Sequence, residues 1–173
     1  MRKHAGMRPQ DIPVLVKVFL AQGKHMLKQD IARELFISAS EITESLNRSR
    51  ISRLLDDRKE RVMTQGFLEF LFFGLPYVFP QQLSAMERGI AAAHSHPEIR
   101  KHFIHDTPSV WPDAEGKVIG VSIEPFYRNQ TKAVHQDQHL YFILSLIEML
   151  RGGRPREVSY ARERLQKIFT PKI

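Results

Sequence analysis

Cysteine is absent from the 173-residue chain. Its absence excludes disulfide cross-links, thiol nucleophiles and Cys-ligated zinc, and it suits a reducing cytoplasm, the expected location. Long apolar runs are absent too. The stretches Phe67–Phe73 and Leu140–Leu150 each carry a glutamate and fall short of the roughly 20 residues of a membrane span, so no membrane partner is expected. The N-terminal Met-Arg-Lys-His is not followed by the apolar segment of a signal peptide. The glycine-rich signatures of chemistry are also missing: there is no G-x-x-x-x-G-K-[ST], no G-x-G-x-x-G and no G-x-S-x-G. Asp56, Asp57, Glu157 and Glu163 have no neighbour in the sequence that suggests acid–base work and read as solvated carboxylates. The chain therefore reads as a non-enzyme, with no catalytic residue and no cofactor.

What is present is a core and an excess of positive charge. Apolar residues make up 42% of the chain, enough to rule out a disordered polymer. Lys and Arg number 26 against 19 Asp and Glu, giving a net charge of +7 and a pI near 9.9. Such a balance steers a protein toward polyanions, of which nucleic acid is the commonest. The excess is local: residues 1–61 hold 13 basic and 8 acidic residues, 62–150 hold 6 and 9, and 151–173 hold 7 and 2. Phosphate contacts need a local patch of this kind.

Apolar spacing predicts a loose tail over residues 1–7, then a helix over Pro9–Gln22 ended by Gly23, and a second over Lys28–Leu35. Phe36-Ile37-Ser38 forms a turn. Ser38, three residues before Glu41, has the pattern of a capping box that starts a third helix running to about Leu55. Asp56–Met63 is a loop or short strand pair. Gln65–Phe73 is a helix closed by Gly74, and Tyr77–Phe79 a short strand. Within Gln81–His105, Ala91–Ala93 has some helical character. Val110–Pro112 and Lys117–Ile123 form a hairpin, with Gly116 at positive φ. Thr131–Arg151 is one long helix whose stripe, Leu140, Ile143, Leu144, Ile147 and Leu150, serves either a core or a dimer, and Glu157–Phe169 is the last helix.

The stretch Gln29–Thr43 carries the functional reading. A helix-turn-helix needs a support helix that hides its apolar side, a tight turn and a second helix with one polar side free for the major groove. Ala32 lets the two helices approach, Ile37 plugs the turn, and Ile42 and Leu46 anchor the second helix. At 100° per residue, Ser49 joins the inward side, while Ser40, Thr43, Glu44, Asn47 and Arg48 fall opposite. Arg48 suits guanine and Asn47 adenine; Glu44 either accepts from cytosine or repels DNA; Ser40 and Thr43 suit a phosphate near the helix N-terminus, and the capping Ser38 is counted with them in the DNA-binding set. Arg50, Arg53, Arg58, Lys59 and Arg61 add phosphate-directed charge. Ile51 also falls on the outward side.

These features, the support helix, the Ile-Ser turn and the Ser-x-Ser-Glu-Ile start, resemble the winged helix-turn-helix module of MarR-like bacterial regulators, over residues 9–80. The resemblance implies a helical core, a dimeric repressor and palindromic double-stranded operators. It departs after Leu55, where only Asp56–Met63 is available for the wing. The expected fold is mainly α with a small β component: a winged helix-turn-helix over 8–80, then an α+β portion over 81–173. The expected function is a sequence-specific, homodimeric DNA-binding transcriptional repressor. The alternative is an antitoxin-like interaction module that neutralises a co-expressed protein partner. The C-terminal run Arg151–Arg156, with Arg162 and Arg164, is a candidate second phosphate contact. Among the eight histidines, the spaced pairs are His94/His96, His102/His105 and His135/His139. None carries an H-E-x-x-H pattern, so they read as surface or interface residues and no metal ligand is assigned.

Overall fold

A computed structural model of the chain describes residues 6–22 and 27–170. Gly23 and residues 1–5 of the expected tail lie outside the described residues. In chain order the helices are α1 (Asp11–Leu20), α2 (Lys28–Leu35), α3 (Ala39–Ile51), α4 (Thr64–Glu69), α5 (Leu75–Val78), α6 (Gln130–Gln136), α7 (Gln138–Gly152) and α8 (Pro155–Phe169). The strands are β1 (Leu83–Ala91), β2 (Ser109–Pro112) and β3 (Val118–Ile123). The mixed α/β chain divides into two compact units, Met1–Phe67 with Phe126–Leu140, and Leu68–Pro125 with Tyr141–Ile173. These units cut the sequence at three places rather than once at 80/81.

In the first unit α1 is the central element. It is buried on every side from Asp11 to Val18, not along one stripe, and Ile12, Val14, Leu15 and Val16 are fully enclosed. Burying each such aliphatic side chain contributes about 1.5–3 kcal/mol. Pro13 sits in the first turn, where its missing N–H costs nothing. α2 ends at Phe36, whose φ of 55° is left-handed, a conformation usually left to Gly or Asn. The Asn129 side chain donates to the Phe36 carbonyl at 3.0 Å and so holds this turn from outside the helix pair. Ser38 then caps α3 by accepting from the Glu41 N–H at 3.3 Å. The reciprocal half of the expected capping box is replaced: the Glu41 carboxylate accepts from Gln10 Nε2 at 2.6 Å and faces Arg8.

Two expected elements of this unit differ. α3 stops at Ile51 rather than at about Leu55, whereas Asp56–Met63 is the loop of the two expected alternatives, tied by a single antiparallel bridge from Val62 back to Leu55. The Asp56 side chain closes the turn between them by accepting from the N–H groups of Glu60 and Arg61 at 2.8 and 3.0 Å. The long helix expected over Thr131–Arg151 is broken at Asp137, which is extended (φ −133°, ψ 99°). The Asp137 carboxylate accepts from the Leu140 N–H at 3.0 Å and thereby caps α7, the usual work of Asp before a helix.

The second unit is built on a three-stranded sheet. β1 runs antiparallel to both β2 and β3, and Gly89 is paired with both Pro112 and Val118. β2 and β3 then pair in parallel through Ser109–Val121 and Val110–Ser122, closing the sheet on itself. The expected hairpin of β2 with β3 is therefore not formed, and Ala91 ends a strand rather than joining a helix. Gly116 does not have positive φ. It is needed for a different reason: a Cβ there would lie 2.2 Å from the Gly89 carbonyl oxygen.

Tyr77 and Val78, expected in a strand, belong to α5, and the helix does not close at Gly74. Residues Phe70–Gly74 instead form a π-helical segment between α4 and α5. Pro76 explains the widening, because proline cannot donate to the carbonyl four residues back and its ring clashes with it. That carbonyl, of Phe72, accepts from Arg162 Nη2 at 3.0 Å. Trp111 is fully buried. Its indole N–H donates to Glu148 at 3.3 Å, and Arg151 and Gln81 hold the rest of that buried carboxylate. Burial pushes the Glu148 carboxyl above the usual range, against the pull of Arg151.

Candidate nucleic-acid interface

The α2–turn–α3 segment of the first unit presents a polar outer side. Ile42, Ser45, Leu46 and Ser49 are buried, so the inward face runs as the spacing predicts. Ser38 and Ser40 are exposed, with hydroxyls 3.2 Å apart. Thr43 is half-buried and donates to the Ala39 carbonyl at 3.0 Å. Glu44 is exposed and Asn47 half-buried. Ile51 is 49% exposed, on the outward side where its spacing puts it.

Arg48 is the main correction. It was expected at base edges, but only 6% of it is exposed. Its guanidinium forks onto the fully buried carboxylate of Asp11 in α1, with Nε to Oδ2 at 2.9 Å and Nη2 to Oδ1 at 2.7 Å. Ser45 adds a third bond to the same carboxylate at 2.7 Å. Its bond to Asp11 keeps the guanidinium more firmly charged than an ordinary arginine. Arg48 thus fastens α3 to α1 and is not available to a groove. A helical wheel gives its angle but not the carboxylate 37 residues away that captures it.

A second internal charge lies on α1. Lys17 pairs with Asp137 at 2.6 Å and with Glu34 at 2.5 Å. Burial alone would depress its pKa, but the bonds to Asp137 and Glu34 outweigh burial and raise it. Asp137 is held below the ordinary carboxyl range. Burial pushes it up, and the Leu140 N–H and Lys17 more than offset that. Sequence spacing held no signal for this tie between α1, α2 and the start of α7.

The turn after α3 lies beside the polar side of that helix. Lys59 Nζ donates to Asn47 Oδ1 at 2.5 Å, and Arg50 faces Asp57 at 3.6 Å. Arg53, Arg58 and Arg61 are exposed, and Arg50 and Lys59 are half-buried. Arg53 and Lys59 have positive φ, 59° and 61°, so the backbone there bends sharply for residues other than glycine. Exposed Glu44, Asp57 and Glu60 are interspersed with these cations. The structure therefore gathers Ser38, Ser40, Thr43, Glu44, Asn47, Arg50 and the Arg53–Arg61 turn in one unit, and removes Arg48 from the set.

The C-terminal run is partly consumed inside the second unit. Arg151 binds Glu148 and the carbonyls of Phe79 and Pro80. Arg162 binds the Phe72 carbonyl and lies over the Phe72 and Phe73 rings. Arg154 and Arg156 remain exposed. The α7 stripe Ile143, Leu144, Ile147 and Leu150 is buried within this single chain, as is Leu140, so it is core and leaves no free face for a dimer. Among the described residues no helix is long and apolar enough to cross a membrane. No protein-family model, curated protein or solved structure matches the chain.

Proposed function

We propose that the first unit is a winged helix-turn-helix-like DNA reader and that the protein is a sequence-specific transcriptional regulator. The observation that carries this reading is the contact of Lys59 with Asn47. It puts a basic turn directly against the exposed side of the capped helix α3. In this reading α3 enters the major groove and the turn at Asp56–Arg61 takes the place of a wing, with Arg53, Arg58 and Arg61 on phosphates. Ser40 and the free N–H groups at the start of α3 receive a further phosphate, favoured by the helix dipole. Asn47 and Glu44 supply the choice of base, and Lys59 moves from Asn47 to the backbone as Asn47 turns to adenine. A palindromic operator would bring a second copy to the neighbouring half-site, docked through a face other than the buried α7 stripe.

The test is a gel shift with the duplex immediately upstream of the coding sequence, competed by a shuffled duplex. The full chain should prefer its own duplex. Asn47→Ala should lower that preference by about 10- to 100-fold, the value of one bidentate base contact, while the shuffled duplex is bound as before. Equal competition by both duplexes with the unaltered chain would remove the sequence-reading role.

A further inference from the structure

His94, His105 and Glu157 converge in the second unit from three separate segments. His94 lies in the 3-10 turn Ala93–Ser95 that follows β1. His105 lies on the loop after the short turn Arg100–His102. Glu157 stands in the first turn of α8. Sequence spacing pairs His94 with His96 and His105 with His102, and it reads Glu157 as solvated. The fold instead stacks the His94 and His105 rings at 3.6 Å and sets His105 Nε2 2.5 Å from Glu157 Oε1. Glu157 is only 4% exposed. One ligand atom from each of the three lies within 4.8 Å of the others.

We propose that these three side chains bind one divalent cation of the zinc class, through two imidazole nitrogens and one carboxylate oxygen. Two histidines and a glutamate are a donor set that zinc accepts while keeping a fourth position open. The surroundings fit this role. Glu157 Oε2 accepts from the Arg154 N–H at 2.8 Å, which aims Oε1 toward the histidines. A ring nitrogen of His94 lies 3.4 Å from the Thr107 carbonyl, the kind of outer partner that fixes the tautomer of a ligating imidazole. Burial, reinforced by the adjacent His105, lowers the His94 pKa and keeps the ring in its neutral, ligating form. Ala93, just before His94, has a left-handed φ of 51°, a conformation unusual outside glycine and often kept where a side chain must be aimed. A cleft of about 210 Å³ is lined by Gln81, Ser109, Glu148 and all three side chains, so there is room beside them for a bound water or a small anion.

A salt bridge alone accounts for His105 and Glu157 but not for His94. A second imidazole stacked on the first adds no favourable charge to one carboxylate, whereas a shared cation uses all three groups. The spaced pair His135/His139 is no rival, because the break at Asp137 separates α6 from α7 and removes the common helical face.

The test uses the full chain after chelator treatment and dialysis, titrated with Zn²⁺ in a calorimeter. One equivalent should bind per chain. His94→Ala and His105→Ala should each weaken binding by at least about 100-fold, more than the loss of an outer partner costs. Glu157→Gln, which keeps an acceptor for the Arg154 N–H, should weaken it as well. The double variant His135→Ala/His139→Ala should bind as the unaltered chain does. No uptake by the unaltered chain, or unchanged affinity in all three single variants, would overturn the assignment. If the variants do not fold, Co²⁺ added to the unaltered chain decides. Intense visible d–d bands of a four-coordinate site support it, and only the weak bands of aqueous Co²⁺ refute it.

Discussion

Replacing Asp11 by alanine removes a carboxylate that is wholly buried and accepts four bonds: from the Arg8 N–H at 2.8 Å, Ser45 Oγ at 2.7 Å, and Arg48 Nε and Nη2 at 2.9 and 2.7 Å. The substitution leaves the Arg48 guanidinium in place, 6% exposed, and removes the carboxylate it is forked onto. Stranding one member of a buried pair costs about 3–5 kcal/mol. A domain's whole stability is about 5–15 kcal/mol, so this loss is a large fraction of it. With a denaturant slope near 2 kcal/mol/M, the urea midpoint should fall by about 2 M, read by far-ultraviolet circular dichroism at pH 7. Removing both charges is a different experiment. Asp11→Leu with Arg48→Met should recover most of the loss, because apolar replacement of a complete buried pair is often near neutral. A cost for Asp11→Ala below about 1 kcal/mol, the range of exposed pairs, would refute the fastening role and return Arg48 to the candidate groove residues.

Gly89→Ala would place a Cβ 2.1 Å from the Trp111 carbonyl oxygen. Backbone cannot yield as a side chain can, so thermal unfolding should show a loss at or above the upper end of the about 1–3 kcal/mol typical of overpacking. His96 is 3% exposed, and burial holds its pKa down at about 4 from 6.5. The folded state therefore takes up its proton less readily than the unfolded state, so stability is complete above pH 6.5 and falls as pH drops toward 4. Roughly 3 kcal/mol is lost across that window. Denaturant melts at pH 7 and 4.5 should show this loss in the unaltered chain and a smaller one in His96→Phe; equal losses would discount His96.

The helix pair was legible because its signals are local. The spacing of Ile31 and Leu35, the cap at Ser38 and the anchors Ile42 and Leu46 lie within 16 residues and obey helical geometry alone. The place of Arg48 is not legible in this way because its partner Asp11 belongs to another helix, and a wheel says nothing of what packs against each side. The break at Asp137 is not legible because His135–His139 is a polar run that a helix can carry on its outer side; only the backbone N–H groups of Leu140 and His139 that Asp137 accepts from make it a cap, and Lys17 holds it in place. β1 gave no alternating pattern, since Leu83–Arg88 is exposed throughout, and its pairing with two strands at once is a long-range property. The group at His94 was invisible for the same reason. Loops and a helix start bring its members together across more than 60 residues of chain.

If the turn beside α3 contacts phosphates, the salt dependence of duplex affinity reveals it, measured by fluorescence anisotropy for the unaltered chain and for Arg53→Ala/Arg58→Ala/Arg61→Ala. Each phosphate contact contributes about 0.9 to the slope of log affinity against log salt. The triple variant should bind more weakly and with a slope shallower by about 2–3. An unchanged slope, with the variant folded, would mean that these arginines touch no phosphate and that the turn is no wing.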